Sequence, residues 1–89
     1  MLVVPKRHTR DLFSMTNEER IHSLELIDTL RHEALLTDPA ILGFNVGANC
    51  GEVAGQTVMH AHIHLIPRRV GDTADARGGV RGVIPGRMR

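Results

Sequence analysis

Gly55-Gln56-Thr57-Val58-Met59-His60-Ala61-His62-Ile63-His64-Leu65-Ile66-Pro67-Arg68 is the stretch on which the reading of this chain turns. Met59, Ala61, Ile63 and Leu65 alternate with His60, His62 and His64. An extended chain over 56–66 therefore puts an apolar row on one face and three imidazoles on the other. Alternate residues on a strand face lie about 6.6–7 Å apart. Three imidazoles in one exposed row are a poor way to build a core, although a lone surface histidine would mean little. Pro67 closes the strand.

Outward from this segment the pattern stays regular. Leu42, Phe44 and Val46 alternate with Gly43, Asn45 and Gly47, which reads as a second strand ahead of a loop of small residues from Gly47 to Gly55. Leu2-Val3-Val4 reads as a third, with Pro5 at its edge. Thr16-Asn17-Glu18-Glu19 is a capping-box sequence. Behind it Ile21, Leu24, Ile27, Leu30 and Ala34 fall at helical spacing until Thr37-Asp38-Pro39, so a helix is expected over 18–36. Beyond Pro67, five glycines and Pro85 leave only a short ordered piece at Val80–Ile84. The expectation is one α+β domain over 1–89, an antiparallel sheet backed by one long helix, with 68–89 an irregular basic tail.

Composition narrows the function. Phe13 and Phe44 are the only aromatic residues, so no stacking platform for single-stranded nucleic acid is expected. A net charge of +1 supplies no general pull toward nucleic acid, despite six arginines between Arg68 and Arg89. No apolar run approaches the roughly 20 residues of a membrane helix. Met1-Leu2-Val3-Val4 followed by Pro5-Lys6-Arg7-His8 reverses the charge order of a signal peptide. Cys50 stands alone, so no internal disulfide forms. These features point to a cytoplasmic protein with no membrane or nucleic-acid partner.

The histidine row permits two chemistries. Zinc takes nitrogen ligands at about 2.0–2.1 Å in a tetrahedron. Adjacent members of the row could chelate one ion, with further ligands from His8, Cys50 or Glu52, but none of these stands at a recognisable spacing. Covalent catalysis fits better. Close imidazoles disfavour one another's charged forms, and a neutral imidazole is a nucleophile toward phosphorus. The loop upstream offers the backbone amides of Gly47, Gly51 and Gly55, with Asn49, Gln56 and Thr57, to an anion. It is not a Walker loop, because Gln56 stands where that motif has lysine.

The segment Gly55–Arg68 resembles the signature of the histidine-triad (HIT) family, His-φ-His-φ-His-φ-φ with φ hydrophobic, behind an Ala-Gly-Gln-Ser/Thr turn. Leu2–His8 is similar to the family's central strand and Gly43–Asn49 to the strand before the loop. Arg77–Pro85 resembles the tail of a diadenosine-tetraphosphate-hydrolase-like subgroup. The resemblance implies hydrolysis or transfer at the α-phosphate of a nucleotide through a nucleotidyl-histidine, with no cofactor. Dinucleoside polyphosphates and nucleoside phosphoramidates are the substrates it suggests. By position His62 matches the nucleophile, His64 the histidine near the scissile phosphate, and His60 the one that orients the nucleophile. Gln56 matches a catalytic turn residue, while Gly55, Thr57, Asn49 and His8 match substrate-binding positions. A nucleotide-binding module without turnover, and a histidine metal-binding protein, are the other readings. The family's usual N-terminal hairpin has no counterpart ahead of Leu2, so a domain truncated at its N-terminus is expected. A homodimer formed through Leu2–Pro5 and the helix goes with it.

Overall fold

The computed structural model describes residues 1–84. Strand β1 is Leu2–Val3, helix α1 is Asn17–Thr37, β2 is Ile41–Gly47 and β3 is Ile63–Arg69. Single 3-10 turns lie at Leu12–Ser14, Glu52–Ala54 and Gly79–Val83. The sheet runs β1-β3-β2 and both pairings are antiparallel, so the α+β expectation holds. Within this sheet β3, which carries the end of the histidine row, is the middle strand, and β1 lies at the edge.

Two elements differ from their sequence reading. The strand expected from residue 56 begins only at Ile63, because the chain bends through 58–60. Its alternation nonetheless persists from 60 to 65: Ala61, Ile63 and Leu65 are buried while the three histidines are half-buried. Met59, ahead of the bend, is only half-buried. Leu42 bulges out of β2, where the register shifts between Ile41 and Gly43.

Helix α1 starts where its capping box lies. Thr16 Oγ1 accepts the Glu19 N–H at 3.1 Å, and Glu19 Oε1 accepts the Thr16 N–H at 2.8 Å. The face it buries matches the expected stripe from Ile27 onward and departs from it in the first two turns. Ser23 and Ile27 are buried and Leu30 and Ala34 half-buried, one residue per turn, whereas Ile21 and Leu24 stay 54% and 61% exposed. A three-stranded sheet covers only a narrow stripe of a helix, and here it selects 23-27-30-34. Val3, Ile27, Ile63 and Leu65 form the core, with Leu12, Leu30 and Phe44 packed on it. Burying each such side chain contributes about 1.5–3 kcal/mol.

Candidate functional site

The antiparallel pairing of β1 with β3 sets Leu2 opposite His64 and Val3 opposite Ile63. Past β1 the chain continues alongside the bend. The Pro5 carbonyl accepts from His60 Nε2 at 3.0 Å, the Thr9 carbonyl accepts the Ala61 N–H at 2.7 Å, and the Arg10 carbonyl accepts from Gln56 Nε2 at 2.6 Å. This strap is tied to the helix. Arg7 Nη2 reaches Glu19 Oε1 at 2.7 Å and the Ser14 carbonyl at 3.2 Å. The Arg7 guanidinium, with the Thr16 N–H, holds the Glu19 carboxyl down at about 2. One carboxylate thus caps α1 and positions the segment that carries His8.

The three histidines do not form an even row. His62 and His64 meet edge to face with ring centroids 5.0 Å apart, while His60 meets His8 at 5.1 Å. The bend at 58–60 turns His60 away toward the strap, and the row splits into two pairs. His62 Nδ1 lies 2.9 Å from the His60 carbonyl. A carbonyl oxygen only accepts, so Nδ1 carries a proton and the neutral ring keeps its lone pair on Nε2. By the same reasoning His60 donates Nε2–H to Pro5 and leaves its own Nδ1 free. The orienting contact on His62 therefore comes from the backbone of residue 60 and not from its imidazole.

The glycine loop is built differently from its sequence reading. The Gly51 N–H donates to Gln56 Oε1 at 2.8 Å, the Gly55 N–H to the Glu52 carbonyl at 3.0 Å, and the Gln56 N–H to the Gly51 carbonyl at 3.1 Å. The Gly51 and Gly55 amides expected to face an anion are thus already used inside the loop. Both residues hold positive φ, +94° and +93°, which only glycine adopts without strain. Gln56 is the second correction. It is 2% exposed, and its amide hydrogens go to the Arg10 and Val58 carbonyls. It braces the loop from beneath, with no donor left for a substrate. Asn49 and Thr57 are exposed, and among the described residues their side chains make no hydrogen bond.

Beside the 62/64 pair a groove of about 940 Å³ opens along β2 and β3. His64 stands in its lining with Asn49, and the 79–83 turn forms its far wall. Asn45 Oδ1 accepts from Arg68 Nη1 at 2.5 Å, and Arg68 also grips Asp72 at 2.8 Å. That pairing holds the Asp72 carboxyl well below the usual carboxylate range. For a metal the residues converge less well. Among the described residues no group of three or more His, Cys, Asp or Glu side chains is placed to hold an ion, so His8, Cys50 and Glu52 do not complete a ligand set around the row. No described helix is long and apolar enough to cross a membrane.

The contacts that sequence reasoning missed are the Pro5 and Arg10 carbonyls and the Arg7–Glu19 clamp. Backbone acceptors leave no mark in side-chain identity. Arg7 and Glu19 stand 12 residues apart across an irregular segment, where no periodicity links them.

The model of the HIT domain matches residues 1–71. An uncharacterized HIT-like protein of Methanocaldococcus jannaschii is 37% identical over 71 residues, covering 80% of this chain and 54% of its own length. An adenosine 5'-monophosphoramidase of Candida albicans is 32% identical over 72 residues, with 78% and 47% covered. The crystal structure of a HIT family protein from Bacillus anthracis superposes with a TM-score of 0.71 at 41% identity, over 76% of this chain and 48% of that one. The chain spans about half the length of these three relatives.

Proposed function

The chain belongs to the HIT domain family, and from that premise we propose that it hydrolyses or transfers at the α-phosphate of a nucleotide, with His62 as nucleophile. The observation that carries this reading is the contact of His62 Nδ1 with the His60 carbonyl at 2.9 Å. It directs the lone pair to Nε2 and gives the imidazolium that forms on attack a fixed acceptor for its remaining proton. Nε2 bonds to phosphorus, the bond from phosphorus to the leaving group breaks, and the electron pair departs with that group. His64, 5.0 Å from His62 between ring centroids, supplies the proton the leaving atom needs. Water then attacks phosphorus and gives a proton back to His64, the N–P bond breaks with its electron pair returning to Nε2, and His62 is neutral again.

Asn49 and Thr57, both exposed beside the loop, supply free polar groups to the phosphate oxygens. Gly55 holds the turn that presents Thr57, and His8 steadies His60 from the other side. Gln56 in this reading is a positioning residue. Nucleoside phosphoramidates and dinucleoside polyphosphates are the substrates proposed, the first supported by the Candida relative, which is described as a phosphoramidase. The working unit is a homodimer, a reading supported by Leu2, Val4, Ile21 and Leu24, all exposed apolar side chains around the edge strand and the helix. A cytoplasmic setting accords with the free thiol of Cys50.

Incubation with adenosine phosphoramidate and with diadenosine tetraphosphate tests the proposal. Turnover is expected in at least one, with an acid-labile nucleotidyl label on His62 that His62→Ala abolishes. Undiminished turnover in His62→Ala would overturn the covalent route.

A further inference from the structure

A second pocket, of about 440 Å³, opens between the strap that follows β1 and the first turns of α1. Small-molecule sites typically offer about 300–1,000 Å³, so the space suffices for one. Among the described residues it has no lining residue in common with the groove beside His64, and no member of the histidine row reaches it. The reaction proposed at His62 makes no use of it.

Most of the polar groups in its walls are already engaged. The Ser23 hydroxyl donates to the Glu19 carbonyl at 2.7 Å. Both Glu19 carboxylate oxygens are taken, Oε1 by Arg7 Nη2 at 2.7 Å and the Thr16 N–H at 2.8 Å, Oε2 by Arg7 Nε at 3.2 Å. Arg7 and Glu19 thus cancel in charge. The Lys6 ammonium and the His22 ring remain, both on exposed residues, and among the described residues neither pairs with a carboxylate. Val3, Pro5 and Leu26 supply aliphatic surface in the same walls. One uncompensated positive charge next to an apolar wall fits one negative charge on an aliphatic body. A phosphate dianion fits less well, because its second charge would face Glu19 with no cation left to balance it.

We infer that this pocket binds an aliphatic monocarboxylate, its head held by Lys6 and His22 and its body on Val3, Pro5 and Leu26, and that the bound acid braces the strap. The bracing follows from what the occupant touches. The walls include both halves of the Arg7–Glu19 clamp, and Pro5, whose carbonyl accepts from His60 Nε2 at 3.0 Å. A ligand that bridges strap and helix makes contacts that exist only while the strap is docked, so it stabilises the docked state. The Ala61 N–H, which the Thr9 carbonyl accepts at 2.7 Å, reports that docking.

Octanoate is the probe, with octanamide as its uncharged counterpart and inorganic phosphate as the bare anion. In the full chain octanoate should move the backbone amides of Lys6, His22 and Leu26, whereas octanamide and phosphate should leave them in place. Octanoate should also slow hydrogen exchange at Ala61 more than at Asp38, whose N–H bonds the Ala34 carbonyl at the far end of α1. Lys6→Gln should weaken octanoate about 10-fold or more, the scale of a lost charge-assisted hydrogen bond. Lys6→Glu should turn the preference over to octylammonium, a gain that a misfolded chain does not produce. Octanoate that moves Ile21 and Leu24 instead, phosphate that moves the pocket amides as octanoate does, or an unchanged affinity in Lys6→Gln overturns the site. Pocket amides that move while Ala61 and Asp38 slow equally overturn the bracing. None of these readouts needs turnover, so their failure is distinct from a failure of the reaction proposed at His62.

Discussion

Replacing Gln56 separates a residue that touches substrate from one that holds the loop. Its side chain is 2% exposed and makes three hydrogen bonds, to the Gly51 N–H at 2.8 Å, the Arg10 carbonyl at 2.6 Å and the Val58 carbonyl at 3.1 Å. Gln56→Ala deletes all three and leaves three backbone groups without partners. A hydrogen bond contributes about 0.5–1.5 kcal/mol net, and each orphaned buried group costs about 1–3 kcal/mol. Water entering the space vacated recovers part of this, so the expected loss is about 2–4 kcal/mol. Against a total of about 5–15 kcal/mol for a small domain, that is a large fraction.

Gln56→Glu sharpens the test because it keeps the shape. The Gly51 N–H retains its acceptor, but a carboxylate meets two carbonyl oxygens to which the amide had donated. Only the protonated acid restores one of those bonds, so folding raises the pKa of this carboxyl. The folded state then holds the extra proton, and the variant loses stability as pH rises from mild acid to neutral. Urea midpoints at both pH values, read with kcat and KM, measure the effect. If both variants unfold at the wild-type midpoint while turnover collapses, Gln56 acts on the substrate and the brace is refuted.

Acid should weaken the fold through Glu19. Its folded pKa of about 2 lies below an unfolded value of about 4.3, so its contribution is present above the upper value and lost as pH falls toward the lower one. Glu19→Gln should flatten that part of the midpoint–pH curve, and an unchanged curve would exclude the Arg7–Glu19 clamp as its source. His60→Ala retains the carbonyl that orients His62, so turnover should fall by no more than about 10²-fold, the lower end of general acid–base contributions, while His62→Ala loses it altogether. Equal losses in single-turnover assays would show that the His60 ring acts directly. Light scattering should give about twice 9.8 kDa. Leu24→Asp, at a 61% exposed position, should lower that mass with the fold intact, whereas a wild-type monomer would dispose of the dimer.

The parts of this fold legible in the sequence are those set by the period of side chains along one element. Alternation from His60 to Leu65 specified which residues are buried, and Thr16 with Glu19 marked the start of α1, because both signals lie within a few residues. The buried face of α1 was legible from Ile27 onward but not in its first two turns. Ile21 and Leu24 satisfy helical spacing as well as Ile27 and Leu30 do, and a sheet of three strands decides between them from outside the helix. Its choice even buries Ser23, whose hydroxyl is satisfied by the Glu19 carbonyl at 2.7 Å. Gln56 misled for a related reason, since its partner at Arg10 lies 46 residues away and is a carbonyl that any residue supplies.

The same limit applies at His62, the proposed nucleophile. The spacing of His60, His62 and His64 places imidazoles on a strand, but it says nothing of which nitrogen holds the proton. That is decided by the His60 carbonyl beside His62 Nδ1, and the position of that carbonyl depends on the bend at 58–60. The bend is in turn held by the strap, through Pro5 on His60, Thr9 on Ala61 and Arg10 on Gln56. Side-chain pattern brings His62, the proposed nucleophile, to the site, and backbone geometry from a segment 46 to 55 residues away selects which of its nitrogens keeps the lone pair. A substitution that loosens the strap, such as Arg7→Ala at the Glu19 clamp, should therefore reduce kcat more than it reduces nucleotide affinity, because it releases the orientation of Nε2 without removing any group that binds phosphate.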